Sequence, residues 1–228
     1  LKLGSLIVGL YTKYKKTILF DSRSVNCKKL NMVTQLKAQI ASSLRGQILT
    51  GQIAAGLRIK EEEIAERYGV SRGPIRDIFI ELSKEGLVQA IPYKGLTVRS
   101  MPSLQVRKIY VRTRREIERL ALTRGFPTWT EQDLKHFEKC LISMRIAAEM
   151  NDLSEFVQHD MDFHRFIIES DCTDDLLPVW TPLVSTMALQ YSRHRKLSES
   201  YEEHVEIFKA LKRGSLEEAV QLLIKHIC

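Results

Sequence analysis

All six histidines of the 228-residue chain fall in its back half: His136, His159, His164, His194, His204 and His226. Asp160 and His164 stand four residues apart in a segment of helical apolar spacing, so both side chains can share one face. His204 and His226 lie in two later helical segments. If those helices close around the first, one carboxylate and three imidazoles converge. That donor set suits a borderline divalent ion: zinc foremost, nickel, or manganese with water completing the shell. Ring nitrogens not used by the ion would need acidic side chains or water as partners. Spacing alone leaves the plainer reading open. An Asp-x-x-x-His pair is commonly structural, and His204 and His226 read equally well as a helix-surface residue and a C-terminal helix residue. His136, His159 and His194 have no place in the set and are expected to face solvent or to pack.

A second chemistry-bearing set lies in the front half. Arg72 and Arg76 are four apart and share a face of a helix that starts after Ser71. Ser71 and the first-turn amides sit where a helix N-terminus meets a phosphate, and an arginine can bridge both acceptors of a guanine. Arg58, Lys94 and Gly95 extend the set: Arg58 to grip a backbone or base edge, Lys94 to enter a minor groove or hold a phosphate, and Gly95 to let a loop tip approach closely. The expected partner is double-stranded DNA. Two arginines on an exposed helix are by themselves ordinary solvated decoration, so the surrounding frame decides their meaning.

That frame is three helices and a hairpin. Leu36, Ile40, Leu44 and Ile48 recur every four residues and predict a helix over 33–49. A second helix is expected over 61–68. Gly69 supplies the corner before the N-cap Ser71, and Pro74 is tolerated in the first turn of a third helix that Gly86 closes. The period then changes to two, and 87–91 pairs with 96–98 around a turn. This order predicts a winged helix-turn-helix over 31–100. From 104 onward the pattern is helical, with segments near 104–124, 130–149, 152–170, 174–192, 199–213 and 216–227. Thr130 with Asp133 and Ser215 with Glu218 stand as capping boxes. The fold class is mainly α: an N-terminal winged helix-turn-helix with a small β hairpin, then an all-helical antiparallel bundle over 101–228 with room for a pocket. Residues 1–30 show no sustained period and stand as an unassigned extension.

Charge follows the same division. The net charge of +7 divides into +6 over residues 1–30, +3 over 31–100 and −2 over 101–228, the distribution of a polyanion-binding front on a near-neutral partner domain. The apolar stretch Leu6–Leu10 is too short for a membrane span and has its lysines on the wrong side for a secretory signal. Four scattered cysteines without a CxxC pair fit a reducing compartment. A cytoplasmic protein without membrane association is expected.

Residues 44–98 resemble the DNA-binding domain of the GntR family of bacterial transcription regulators. The resemblance is carried by ILTGQIAAGLRIKE from Ile48, IAERYGVSRGPIRD from Ile64, LSKEGLV from Leu82 and GLTV from Gly95. Three positions depart from the family pattern: Ala55 replaces a usual proline, Gly73 a threonine-like residue, and Ile78 a small residue. Residues 104–227 are similar to the FCD ligand-binding domain of the FadR-like subfamily. The marks are RREIE from Arg114, DMDFH from Asp160, EHVEIFKAL from Glu203 and AVQLLIKH from Ala219. The resemblance implies a homodimer on a palindromic operator, with Arg58, Arg72 and Arg76 as contacts. It implies metal ligation by Asp160, His164, His204 and His226, and an effector carboxylate held by Arg114. Tyr110, Arg165, Met187 and Tyr191 are expected around the same cavity from their facing.

The function expected is therefore a metabolite-responsive regulator, a repressor released from its operator by a small organic acid, and not an enzyme. Two rival readings are a metal-dependent hydrolase-like enzyme in the helical domain and a protein-interaction module with a basic front half.

Overall fold

The computed structural model describes residues 22–171, 175–189 and 196–227, with side chains from residue 34 onward. Helix α1 (Ser22–Leu49), α2 (Glu61–Tyr68) and α3 (Arg72–Lys84) precede a hairpin of β1 (Val88–Ile91) and β2 (Gly95–Val98). Helices α4 (Leu104–Gly125), α5 (Glu131–Glu149), α6 (Leu153–Glu169), α7 (Leu177–Ala188), α8 (Leu197–Lys212) and α9 (Leu216–His226) follow. The N-terminal helical region with its hairpin, followed by an all-helical bundle, is the fold class expected.

In the front half, α1 lays Ile40, Leu44 and Ile48 onto Ile64 of α2 and the α3 stripe of Ile75, Ile78, Phe79 and Leu82, all buried. Gly69 has φ 65°, the left-handed conformation that ends α2 at low cost. The strands pair antiparallel from Val88↔Val98 to Ile91↔Gly95. Arg58 adds an isolated bridge to Thr97, which ties the segment before α2 to the hairpin. Ile78, the bulky departure from the family pattern, is completely buried, so the core has absorbed its extra volume.

In the back half, the packed core contains Phe137, Phe163 and Trp180, each without exposed surface. Helix α4 touches α6, α7 and α9, so it forms one wall of whatever lies at the centre. The Asp133 carboxylate accepts the Thr130 backbone N–H at 2.6 Å and the Thr130 hydroxyl at 2.7 Å. At the second expected box, Glu218 takes the Arg213 guanidinium on both oxygens at 2.9 Å, so the charged partner competes with the cap.

Two limits differ from the sequence reading. Helix α1 begins at Ser22, eleven residues before the expected start, because a polar helix with a weak apolar stripe leaves little period to detect. The segment expected over 174–192 is helical over Leu177–Ala188, with Pro182 inside it. The remainder of the 1–30 segment lies outside the described residues, as do residues 190–195.

The two halves meet at close backbone approaches. A β-carbon on Gly46 of α1 would run into the Ser154 hydroxyl at the start of α6. One on Gly86 would lie 3.0 Å from the Pro182 carbonyl oxygen of α7, and Gly86 also has φ 76°. The Gly86→Ala variant therefore carries both a left-handed penalty of about 1–2 kcal/mol and a contact that must shift. Its denaturation midpoint should fall with unchanged helical content; a midpoint equal to that of the parent protein would show that this approach is not tight.

Candidate metal centre and DNA-binding face

Helix α6 places Asp160 and His164 on the stripe that also carries Phe156, Phe163 and Ile167. His204 takes the corresponding inward place on α8 beside Ser200 and Ile207, and His226 ends the buried row of α9 after Ala219 and Leu223. All four are removed from solvent, at 3%, 0%, 0% and 4% exposure. One donor atom from each lies within 4.8 Å of the others. His164 Nε2 is 3.2 Å from both His226 Nε2 and His204 Nε2, and His204 Nε2 is 3.2 Å from Asp160 Oδ1.

The other ring nitrogens explain this convergence. His164 Nδ1 meets Glu118 Oε2 at 2.6 Å, His204 Nδ1 meets the Ser200 carbonyl at 2.7 Å, and His226 Nδ1 meets Glu203 Oε2 at 2.7 Å. Each partner is an acceptor, so each Nδ1 must carry the proton and donate. In the neutral rings every Nε2 then presents a lone pair to the same centre, next to a carboxylate. In that protonation state the cluster repels itself, and either a metal ion between the donors or a further ring proton relieves it. Atoms held about 2 Å from a common ion sit roughly 3 Å apart, and the observed spacings fit. The residues can coordinate a metal.

Glu118, which lies outside the expected ligand set, organises the centre. It has no exposed surface and accepts Arg114 Nε at 2.6 Å, Trp180 Nε1 at 2.8 Å and His164 Nδ1. Burial would push its carboxyl up, but Arg114 and His164 outweigh that and hold it at about 2. Asp160 is likewise held well below the ordinary carboxylate range: burial opposes ionisation, and His204, His164 and Arg114 more than compensate. His164 is pushed down, first by burial and then by Arg114, against the pull of Glu118. The signal for Glu118 was its place four residues after Arg114, one turn along the same face. Glu203 beside His204 carried no comparable signal, because adjacent residues point to different sides.

A cavity of about 460 Å³ opens beside this cluster and is lined by Asp160, His226 and Arg114 together with Tyr110 and Met187. Arg165 departs from the expectation. Its side chain is 38% exposed and turns to Glu169 at 3.9 Å, and it does not line that cavity; one residue beyond His164, it is carried about 100° around the helix. Tyr191 and His194 lie outside the described residues. His136 stacks on Phe166 with centroids 4.4 Å apart, and His159 lies near Glu155 and Asp162.

On the front half, the α3 face opposite its buried stripe carries Arg72, Gly73 and Arg76, all exposed. Arg72 reaches Glu62 at 2.9 Å and Glu61 at 3.8 Å, and Arg76 reaches Glu61 at 3.3 Å. These are surface pairs, worth about 0–1 kcal/mol, which a phosphate can displace. Ser71 occupies the N-cap position, and its hydroxyl makes no cap hydrogen bond. A β-carbon on Gly73 would meet open space. At the hairpin tip Gly95 has φ 77° and seats the Arg58 guanidinium, while Lys94 is exposed. Tyr93 of the same turn is fully exposed with φ 63°.

Two family models match the chain: "Bacterial regulatory proteins, gntR family" over residues 36–98 and "FCD domain" over residues 110–228. The chain belongs to the GntR family of regulators that carry an FCD domain. Among its relatives, the HTH-type transcriptional repressor RspR of Escherichia coli is 29% identical over 205 residues, covering 87% of this chain and 89% of that protein. The gluconate operon transcriptional repressor of Bacillus subtilis is 27% identical over 171 residues, covering 74% and 70%. The solved structure of E. coli McbR/YncC has the same fold at a TM-score of 0.69 and 23% identity, covering 84% of this chain and 93% of that one. Family membership makes the chain a metabolite-responsive DNA-binding regulator rather than an enzyme, which sets aside the hydrolase-like reading. No helix among the described residues is long and apolar enough to cross a membrane.

The buried ionic cluster predicts the sign of a pH dependence. His164 binds a proton less readily in the folded protein than in the unfolded chain, so stability is lost as pH falls through 6.5, the ordinary value. The Glu118 contribution is complete above its ordinary 4.5 and is lost as pH falls from there to about 2. The melting temperature should drop progressively from neutral pH to pH 5 and below. A flat or rising profile over that range would contradict this assignment of charges.

Proposed function

We propose that the chain is a cytoplasmic, homodimeric repressor of the FadR-like subfamily that a small carboxylate effector releases from a palindromic operator. The observation that carries this reading is that one cavity holds Arg114, two members of the Asp160–His164–His204–His226 cluster and the Met101–Pro102 segment that leads out of the hairpin. Asp160, His164, His204 and His226 would hold a divalent ion, zinc foremost, with nickel or manganese also suited. The bound ion supplies Lewis-acid attraction for an effector carboxylate.

Charge supports the effector class. With neutral imidazoles, Arg114, Glu118 and Asp160 leave one uncompensated buried negative charge; a divalent ion turns that into one positive charge, which one carboxylate neutralises. Arg114 is oriented by Glu118 and aims the acid. Tyr110 and Met187 shape the wall that the acid would touch. Arg72, Arg76 and Ser71 would meet the operator from α3, with Arg58, Lys94 and Gly95 at the wing.

The coupling route is α7. Trp180 of α7 donates to Glu118 beside the ligand cluster, and Pro182, half a turn on, abuts Gly86 at the end of the segment that carries α3. A change at Glu118 therefore has a short mechanical path to the spacing of two operator half-sites in a dimer.

Metal content tests the ligand set: His204→Ala and His226→Ala should each lose most of the metal that the parent protein retains after dialysis. Unchanged content in both would reject the ligands. Operator titration tests the rest. Arg76→Ala should lose sequence-selective binding, by about 1–3 kcal/mol, with its helical content intact. A bound acid should weaken operator affinity of the parent protein, and unchanged affinity with the acid demonstrably bound would reject the coupling.

A further inference from the structure

The cavity beside the metal cluster has more positive charge than one carboxylate needs. Among the described residues its lining includes five basic side chains, Arg107, Lys108, Arg112, Arg114 and Arg115, against a single carboxylate, Asp160. Asp160 belongs to the ligand cluster, so it does not offset the arginines farther along. Two of the five are already engaged: Arg114 holds Glu118 and Arg115 Nε donates to the Ile227 carbonyl at 2.8 Å.

Arg107 is different. Its Nε is buried and makes no hydrogen bond. Arg107 is half-buried as a residue, but this one N–H is shut away from water, a standing cost that a bound anion would remove by supplying the acceptor. Arg107, Val111 and Arg114 follow at i, i+4 and i+7 along α4, on one face of the helix. Arg107 therefore stands roughly 10 Å along the axis from Arg114. Its end of the cavity is the end formed by Met101, Pro102 and Leu104. The cavity thus has two positive poles. One lies at Arg114 and the metal ligands, the other at Arg107 and Lys108 beside the segment that joins the two halves of the chain.

From this we infer that the effector is an elongated organic dianion: an acid whose far end carries a second anionic group, a carboxylate or a phosphate, held by Arg107. The inference rests on the proposed effector site and names its ligand class. It gives each pole one task. The Arg114 end, where the ligand cluster would hold an ion, would take the first carboxylate, and Arg107 would select acids that carry a second charge. Because Arg107 lies beside Met101 and Pro102, the second anion binds against the linker itself.

The test is calorimetric binding to the full-length, zinc-loaded protein using chain-matched pairs: butyrate and succinate, hexanoate and adipate, octanoate and suberate, glycolate and phosphoglycolate. At least one dianion should bind about tenfold or more tightly than its singly charged partner, the increment of a charge-assisted hydrogen bond. Arg107→Gln should erase that preference while leaving the affinity for the mono-acid and the zinc content unchanged, and Arg107→Lys should retain part of it. The pair that shows the preference distinguishes a carboxylate from a phosphate at the far end. Equal affinity within every pair, or an equal loss for both members in Arg107→Gln, would overturn the dianion inference and leave the acid site standing. Failure of every acid to bind the zinc-loaded protein would overturn both.

Discussion

Three imidazole rings are turned the same way because each has somewhere to put its Nδ1 proton. Glu118, the Ser200 carbonyl and Glu203 each take one. With those three bonds in place, the opposite nitrogens must converge on Asp160, and the helices that carry them must close. The centre therefore constrains the bundle: α4 supplies Glu118, α6 supplies Asp160 and His164, α8 supplies His204, and α9 supplies His226. Polar groups this deeply buried are tolerated only when they are fully partnered. The arrangement meets that demand on the outer side of every ring and leaves an inner side that can coordinate a cation.

The same outer shell reaches the rest of the molecule. Glu118 binds Arg114, which lines the cavity, and Trp180, which begins the path along α7 to Gly86. One carboxylate thus touches the ligand cluster, the cavity wall and the helix that abuts the front half. Its partners Arg114 and His164 outweigh burial and favour its ionised form, which suits it to act as a negative anchor. The α1–α6 contact at Gly46 and Ser154 gives the front half a second point of support.

What was legible in the sequence follows from range. Local signals were clear: the corner at Gly69, the cap position of Ser71, the change of period at the hairpin and the Thr130–Asp133 cap all depend on residues a few positions apart. Asp160 and His164 were visible as a pair for the same reason. That His204 and His226 join them depends on contacts 40 and 62 residues apart, and spacing alone left it open; only the resemblance to a known domain supplied it. Arg165 follows His164 in the chain yet turns toward Glu169 and away from the cavity, because one step turns a helix by more than a quarter circle. Glu118 went unassigned because an Arg–Glu pair at i, i+4 is ordinary on any exposed helix face, and nothing local says that this one is buried.

The carboxylates beside the α3 arginines have a kinetic meaning. Glu61 and Glu62 already occupy Arg72 and Arg76. On the reading that these arginines meet DNA, any phosphate must first displace an acid that costs nothing to find. Random duplex offers only that exchange, charge for charge, and gains little. A cognate site adds base-edge bonds that no carboxylate can imitate. On the same reading, the acidic start of α2 would take an equal toll on every duplex that displaces it, and only a cognate site has base contacts to make good the loss. On that reading each unproductive stop during genome search would be shorter, while the ratio of cognate to random affinity would still rest on the base contacts alone.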